Sequence, residues 1–209
     1  MSALPKLYLT PEQYLLQERR SDHKHEYYRG EVFALAGASR QHNLITLNVG
    51  GELRTQLKKR SCTVYPSDLR VKIPEMGLYT YPDLVVVCGK AQFEDHEQDT
   101  LLNPTVIVEV LSKSSEARDR GEKFSDYRGM ESIKDIILVT QHKMRVEHYV
   151  RQTNNDWTLH DVSAPDEIIT IASIGCRLTL AEIYERVTFP PPRQLRSVES
   201  EPQDQGGVL

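Results

Sequence analysis

Residues 104–112 read Pro-Thr-Val-Ile-Val-Glu-Val-Leu-Ser, and the fold turns on how they alternate. In an extended chain successive side chains point to opposite faces. Val106, Val108 and Val110 therefore share one face, and Ile107, Glu109 and Leu111 the other. Both faces are apolar apart from one carboxylate. A strand of that kind is covered on both sides, so it is central to its sheet. Glu109 is then an acid in a buried row. A buried charge without a partner costs several kcal/mol, so Glu109 needs a cation or a proton. An internal salt bridge, or a place at the wet end of the strand, would meet the same need.

One strand upstream, residues 80–88 read TYPDLVVVC. Asp83 opens a strand whose remainder is apolar. If the two strands pair antiparallel, the start of one lies beside the end of the other. Asp83 and Glu109 then converge at one edge of the sheet. Two close carboxylates repel unless a divalent ion lies between them, and hard oxygen donors suit magnesium or manganese. A Pro-Asp pair is also an ordinary strand-entry turn. Downstream, residues 115–130 read SEARDRGEKFSDYRGM, a helix in which Asp119, Lys123 and Tyr127 recur every fourth residue and share a face. Ala117, Gly121 and Phe124 form a separate stripe suited to packing on a sheet. Lys123 flanks that stripe, where it could reach over the sheet edge. The competing reading is an Asp119–Lys123 surface pair of little energetic weight.

The remaining chain supplies the layers. Thr10, Pro11 and Gln13 start a first helix that runs to about residue 20. Gly30 reads as a turn before a strand in residues 31–37. Ser39 caps a second helix over residues 40–60, with His42, Ile45, Val49 and Leu53 on one face, weakened in the middle by Gly50 and Gly51. Residues 62–73 contain a strand, residues 89–103 read as an acidic loop, and residues 135–141 as a strand. Residues 145–152 and 157–162 form a hairpin, and residues 178–187 a short terminal helix. Helices alternating with a run of strands imply an α/β (α+β) domain with a mixed β-sheet flanked by helices. The domain is expected over residues 1–189. The proline-rich, Gly-Gly-containing residues 190–209 read as a disordered tail.

Composition narrows the class. The chain has 209 residues, 39% hydrophobic and 27% charged, with a formal net charge of −4. That balance argues against bulk electrostatic coating of duplex DNA, although carboxylates at a metal site lower the charge by themselves. There is no membrane-length apolar run and no signal-peptide pattern, so a cytoplasmic location is expected. The three cysteines, Cys62, Cys88 and Cys176, lie far apart and read as buried reduced thiols.

The stretches 24–45, 67–71, 80–89, 101–128 and 173–187 together resemble the Uma2-like endonuclease family, formerly the DUF820 domain, over about residues 8–187. That family belongs to the PD-(D/E)XK, or restriction endonuclease-like, superfamily. The resemblance implies Asp83 as the Pro-Asp aspartate and Glu109 as the second acid. With the carbonyl of Val110, they would hold Mg2+ or Mn2+ for hydrolysis of DNA phosphodiesters. Two residues after Glu109 the superfamily usually has lysine, whereas this chain has Leu111, so Lys123 is read as the migrated substitute, with Lys113, just after the strand, as its rival. Glu26, His42, Asp68 and Tyr127 are auxiliary candidates, and His42 could equally be a satisfied core histidine. DNA is the implied partner. A homodimer is expected only because nucleases that cut both strands often pair. The alternative function is a catalytically degenerate nuclease fold that binds nucleic acid or protein.

Overall fold

In this computed structural model the described residues are 8–112, 116 and 119–189. The expected tail over residues 190–209 lies outside them, as do Lys113 and Ala117. The chain begins with α1 (Pro11–Glu18), β1 (His25–Tyr28), β2 (Glu31–Ala34), α2 (Arg40–Leu57), β3 (Cys62–Pro66), β4 (Arg70–Ile73) and β5 (Leu78–Thr80). It continues with β6 (Leu84–Cys88), β7 (Thr100–Leu101), β8 (Val106–Leu111), a π-helical turn (Asp119–Lys123) and α3 (Phe124–Gly129). The last elements are β9 (Asp135–Thr140), β10 (Val146–Arg151), β11 (Trp157–Val162), β12 (Ile168–Ile171), β13 (Cys176–Thr179) and α4 (Leu180–Ile183).

The central sheet is six-stranded, in the order β11-β10-β9-β8-β6-β3. β8 lies inside it, antiparallel to β6 and parallel to β9, as its two apolar faces require. Val106, Val108 and Val110 pack with Ile45, Val49 and Leu53 of α2 and with Ile169, Cys176 and Leu180 from the C-terminal hairpin and helix. Ile107 and Leu111 pack on the opposite face with Val85, Val87, Ile136, Leu138 and Tyr127, and with Val71 and Leu78 of a second sheet. That sheet is five-stranded, in the order β2-β1-β5-β4-β7.

Local chemistry sets the helix starts. The Thr10 side chain accepts from the Gln13 amide and the Gln13 side chain accepts from the Thr10 amide, so a capping box opens α1. Ser39 accepts from the His42 amide and opens α2. Gly50 does not interrupt α2. A Cβ there would stand 3.2 Å from Leu84 Cδ2, so the glycine lets the helix lie close on β6.

The structure departs from the sequence expectation in several places, among them β1 and β12, strands where none was expected. Residues 62–73 hold two strands: the chain turns at residues 66–69, so β3 joins the central sheet and β4 the second. β5 and the two-residue β7 are strands where none was expected, and both belong to the second sheet. The terminal helix is shorter than expected. Cys176–Thr179 is extended and pairs with β12, and the Thr179 side chain caps a helix of four residues, Leu180–Ile183. Finally, Cys62 and Cys88 are not separate thiols. The β3–β6 register sets them directly opposite each other and they are disulfide-bonded, while Cys176 stays a buried free thiol. Their 26-residue separation in sequence hid a nearest-neighbour contact in the sheet. Reduction frees a loop of that length in the unfolded chain, and chain entropy puts the loss at about 3.5 kcal/mol. Urea unfolding with and without dithiothreitol measures it, and coincident curves would show that the bond adds no stability.

Candidate active site

Asp83 stands where the chain crosses from one sheet to the other. β5 ends at Thr80 in the second sheet, and β6 starts at Leu84 in the central one. Tyr81, Pro82 and Asp83 make the passage. Pro82 has no amide hydrogen to offer a ladder, which suits a position between strands. The β6–β8 register pairs Leu84 with Val108 and Val85 with Ile107. The pairing ends one residue short of Asp83, and Asp83 and Glu109 line the same cleft. The Asp83 carboxylate accepts a hydrogen bond from the Val110 amide at 2.7 Å and lies 3.1 Å from His42 Nε2.

Glu109 is only 4% exposed. Its Oε1 accepts from Tyr127 Oη at 2.6 Å and from Lys123 Nζ at 3.2 Å. Lys123, at 7% exposure, does not lean over the sheet edge but is enclosed. Its ammonium lies 2.9 Å from Glu26 and 3.6 Å from Asp119 as well. The π-helical turn brings Asp119 and Lys123 inward, and α3 continues with Tyr127 on the same face, as the four-residue spacing implied. The Asp119–Lys123 contact is therefore interior and not a surface pair.

The electrostatics follow from burial. Glu109 is pushed up to about 8 by burial and by the Asp83 and Asp119 charges, although the Lys123 ammonium pulls the other way. Three carboxylates share that ammonium, so none of them is fully compensated by it. Burial alone would discharge Lys123, but Glu109, Tyr127, Glu26 and Asp119 together hold it well above its ordinary value. Tyr127 is raised far out of range by burial and then by Glu109, so it stays a hydrogen-bond donor. Burial opposes the His42 charge, and the Asp83 contact outweighs it and raises the imidazole.

Asp83, Glu109, Val110, His42, Asp119 and Lys123 all line one cleft of about 810 Å³, to which Lys24, Ser39, Tyr81 and Gln141 also contribute. Ser39 Oγ and Gln141 Oε1 are hydrogen-bonded at 2.5 Å, linking the start of α2 to the end of β9. Of the auxiliary candidates, Glu26, His42 and Tyr127 belong to this cluster. Asp68 does not: its side chain is 85% exposed and pairs with Lys24 at 2.9 Å. Asp119 was legible only as a neighbour of Lys123, and its four-residue spacing was the available signal. Lys24 and Gln141 carried no signal, because loops from different sheets bring them in.

Among the described residues no group of three or more His, Cys, Asp or Glu side chains is arranged to hold a metal ion. Magnesium, however, is often held by one or two carboxylates, with water and substrate phosphate completing the shell. Asp83 and Glu109, with the Val110 carbonyl, fit that pattern if Glu109 rotates away from Lys123.

The profile of the Uma2 family, described as "Putative restriction endonuclease", matches residues 11–181. The chain belongs to the Uma2 family. It is 35% identical over 154 residues to the Synechocystis protein sll1609, covering 74% of this chain and 87% of that one. It is 33% identical over 181 residues to slr1290 of the same organism, covering 87% and 94%. A crystal structure from Anabaena variabilis, described as "a putative nuclease belonging to DUF820", superposes with a TM-score of 0.66 at 15% identity, covering 84% of this chain and 97% of that one. At that identity the likeness shows the fold, which in this Uma2 chain is the expected mixed sheet flanked by helices. Among the described residues no helix is long and apolar enough to cross a membrane.

Proposed function

We propose that this Uma2 protein is a metal-dependent endonuclease that hydrolyses DNA phosphodiesters in the cleft around Asp83 and Glu109. One observation carries the reading: two acids from neighbouring strands face one cleft with a buried ammonium beside them. Mg2+ or Mn2+ would supply Lewis-acid charge there and lower the pKa of a bound water. The chain's own groups do the positioning. Asp83, fixed by the Val110 amide and by His42, presents its other lone pairs to the cleft. Such partners on a ligating carboxylate fix its orientation. Glu109 would supply the second oxygen ligand. Lys123 stabilises negative charge that builds on the phosphate, and a contact of that kind is typically worth about 10²–10³ in rate. Tyr127 keeps its proton and steadies Glu109 through its hydroxyl.

The test is incubation of the purified protein with supercoiled plasmid, with and without Mn2+. Nicking or linearisation is expected only with metal. Asp83→Ala is expected to lower the rate by at least about 10². Binding of plasmid without turnover would instead establish the family fold here as a binding module. Cleavage that survives both EDTA and Asp83→Ala would sink the proposal.

A further inference from the structure

We propose that Glu26 anchors the catalytic ammonium: it keeps Lys123 in the cleft when Glu109 turns its carboxylate to a divalent ion. The proposal rests on the nuclease reading and adds a device from the second sheet. Lys123 Nζ is 2.9 Å from Glu26 Oε1 and 3.2 Å from Glu109 Oε1, so Glu26 is the nearer of the two. Asp119, at 3.6 Å, is on the same short turn as Lys123. Glu26 is fully buried on β1, a strand paired on both sides. The β1–β5 register pairs Tyr27 with Tyr79, which sets Glu26 level with Thr80. Thr80 Oγ1 donates to the same Glu26 oxygen at 2.5 Å. The carboxylate is thus fixed by a strand of the second sheet, separate from both β8 and the π-helical turn.

The chemistry makes the anchor necessary. A buried ammonium cannot stand without a counter-charge. A Glu109 carboxylate that binds a doubly charged ion is no longer available to Lys123, and that ion repels the ammonium. With Glu26 present, Lys123 has a partner fixed on another strand. Without it, the counter-charge left is Asp119, 3.6 Å away on the same turn as Lys123, which can move toward water together with the ammonium. Thr80 also lies three residues before Asp83, so one short stretch of chain sets both the anchor and the first acid.

Lysine-ζ 15N NMR reads the ammonium directly, with the Lys123 signal assigned by its loss in Lys123→Arg. In the wild type a slowly exchanging Lys123 signal is expected to persist at saturating Mg2+. In Glu26→Gln it should be present without Mg2+, held by its hydrogen bond to Glu109 and by Asp119, and disappear once Mg2+ is added. Plasmid cleavage by Glu26→Gln should fall about 10–100-fold in kcat with KM unchanged, the usual cost of losing a supporting partner. A merely structural role would lower the melting temperature and erase the signal with or without Mg2+. Thr80→Val, which keeps the carboxylate, should shift both readouts the same way by less, and it carries the test if Glu26→Gln does not fold. A Glu26→Gln signal that survives Mg2+, or a wild-type kcat in both variants, would overturn the anchor. So would a wild-type Lys123 signal that persists without any change in chemical shift on Mg2+ addition, since Glu109 would then not have turned to the ion. If the wild type takes up Mg2+ and cuts no DNA, the nuclease reading fails, and the NMR comparison still decides the anchor.

Discussion

Lys123→Ala is expected to cost about 3–5 kcal/mol of stability, the scale of breaking a buried ion pair from one side, and to lower cleavage by about 10²–10³. The sequence alone suggests a milder outcome, a side chain leaning over the sheet edge whose removal spares the fold. The structure encloses the ammonium between Glu109, Glu26 and Asp119. Removing it takes from those buried acids the cation they share. Mg2+ should restore part of the lost stability, because it returns positive charge to Glu109. Lys113→Ala is the comparator; Lys113 lies outside the described residues, just past the strand that carries Glu109. Thermal unfolding with and without Mg2+ and plasmid cleavage measure the two effects. Full activity in Lys123→Ala would remove Lys123 from the chemistry, and loss confined to Lys113→Ala would transfer the role. An unchanged melting temperature would show that the ammonium does not hold the three carboxylates together.

The acids were legible in the sequence because one sits on a strand and the other just before one. Alternation in residues 106–111 put Glu109 on the same face as Ile107 and Leu111, and the antiparallel pairing of β6 with β8 brought Asp83, next to β6, to the same cleft. Four-residue spacing put Asp119, Lys123 and Tyr127 on one face, although not the depth at which that face is buried. The second sheet was not legible. β5 is three residues long and β7 two, and strands that short carry no periodicity to detect. Losing β5 also hid why Glu26 matters, since its partner Thr80 is 54 residues away and nothing local joins them. Asp68 failed for the opposite reason. It stood in a stretch resembling the family, but residues 67–69 turn the chain between β3 and β4 and leave its side chain in water.

Glu109→Gln is expected to remove a pH dependence as well as the activity. In the folded protein Glu109 is pushed from an ordinary 4.5 up to about 8. The folded chain therefore keeps this proton over a range where the unfolded chain has lost it. The contribution to stability is fully present below about pH 4.5 and is lost as pH rises through about 8, so metal-free protein weakens across that window. A glutamine has no proton to lose, and the variant's stability should change less over the same range. Against its burial, His42 is also raised, chiefly by Asp83 and in part by the Glu109 charge, so the variant removes that part of the His42 shift together with the Glu109 proton. A divalent ion reverses the preference, because a ligand must be deprotonated to bind. Mg2+ affinity should then rise with pH through the same window, and binding should release a proton. Urea unfolding from pH 5 to 8.5 tests the first statement, and calorimetry in buffers of different ionisation enthalpy tests the second. Parallel stability profiles for wild type and Glu109→Gln would show that this carboxyl is not held protonated by its surroundings. The cleavage rate should fall by at least about 10² in the variant at every pH, since glutamine supplies an oxygen without the charge that makes it a ligand for a hard cation.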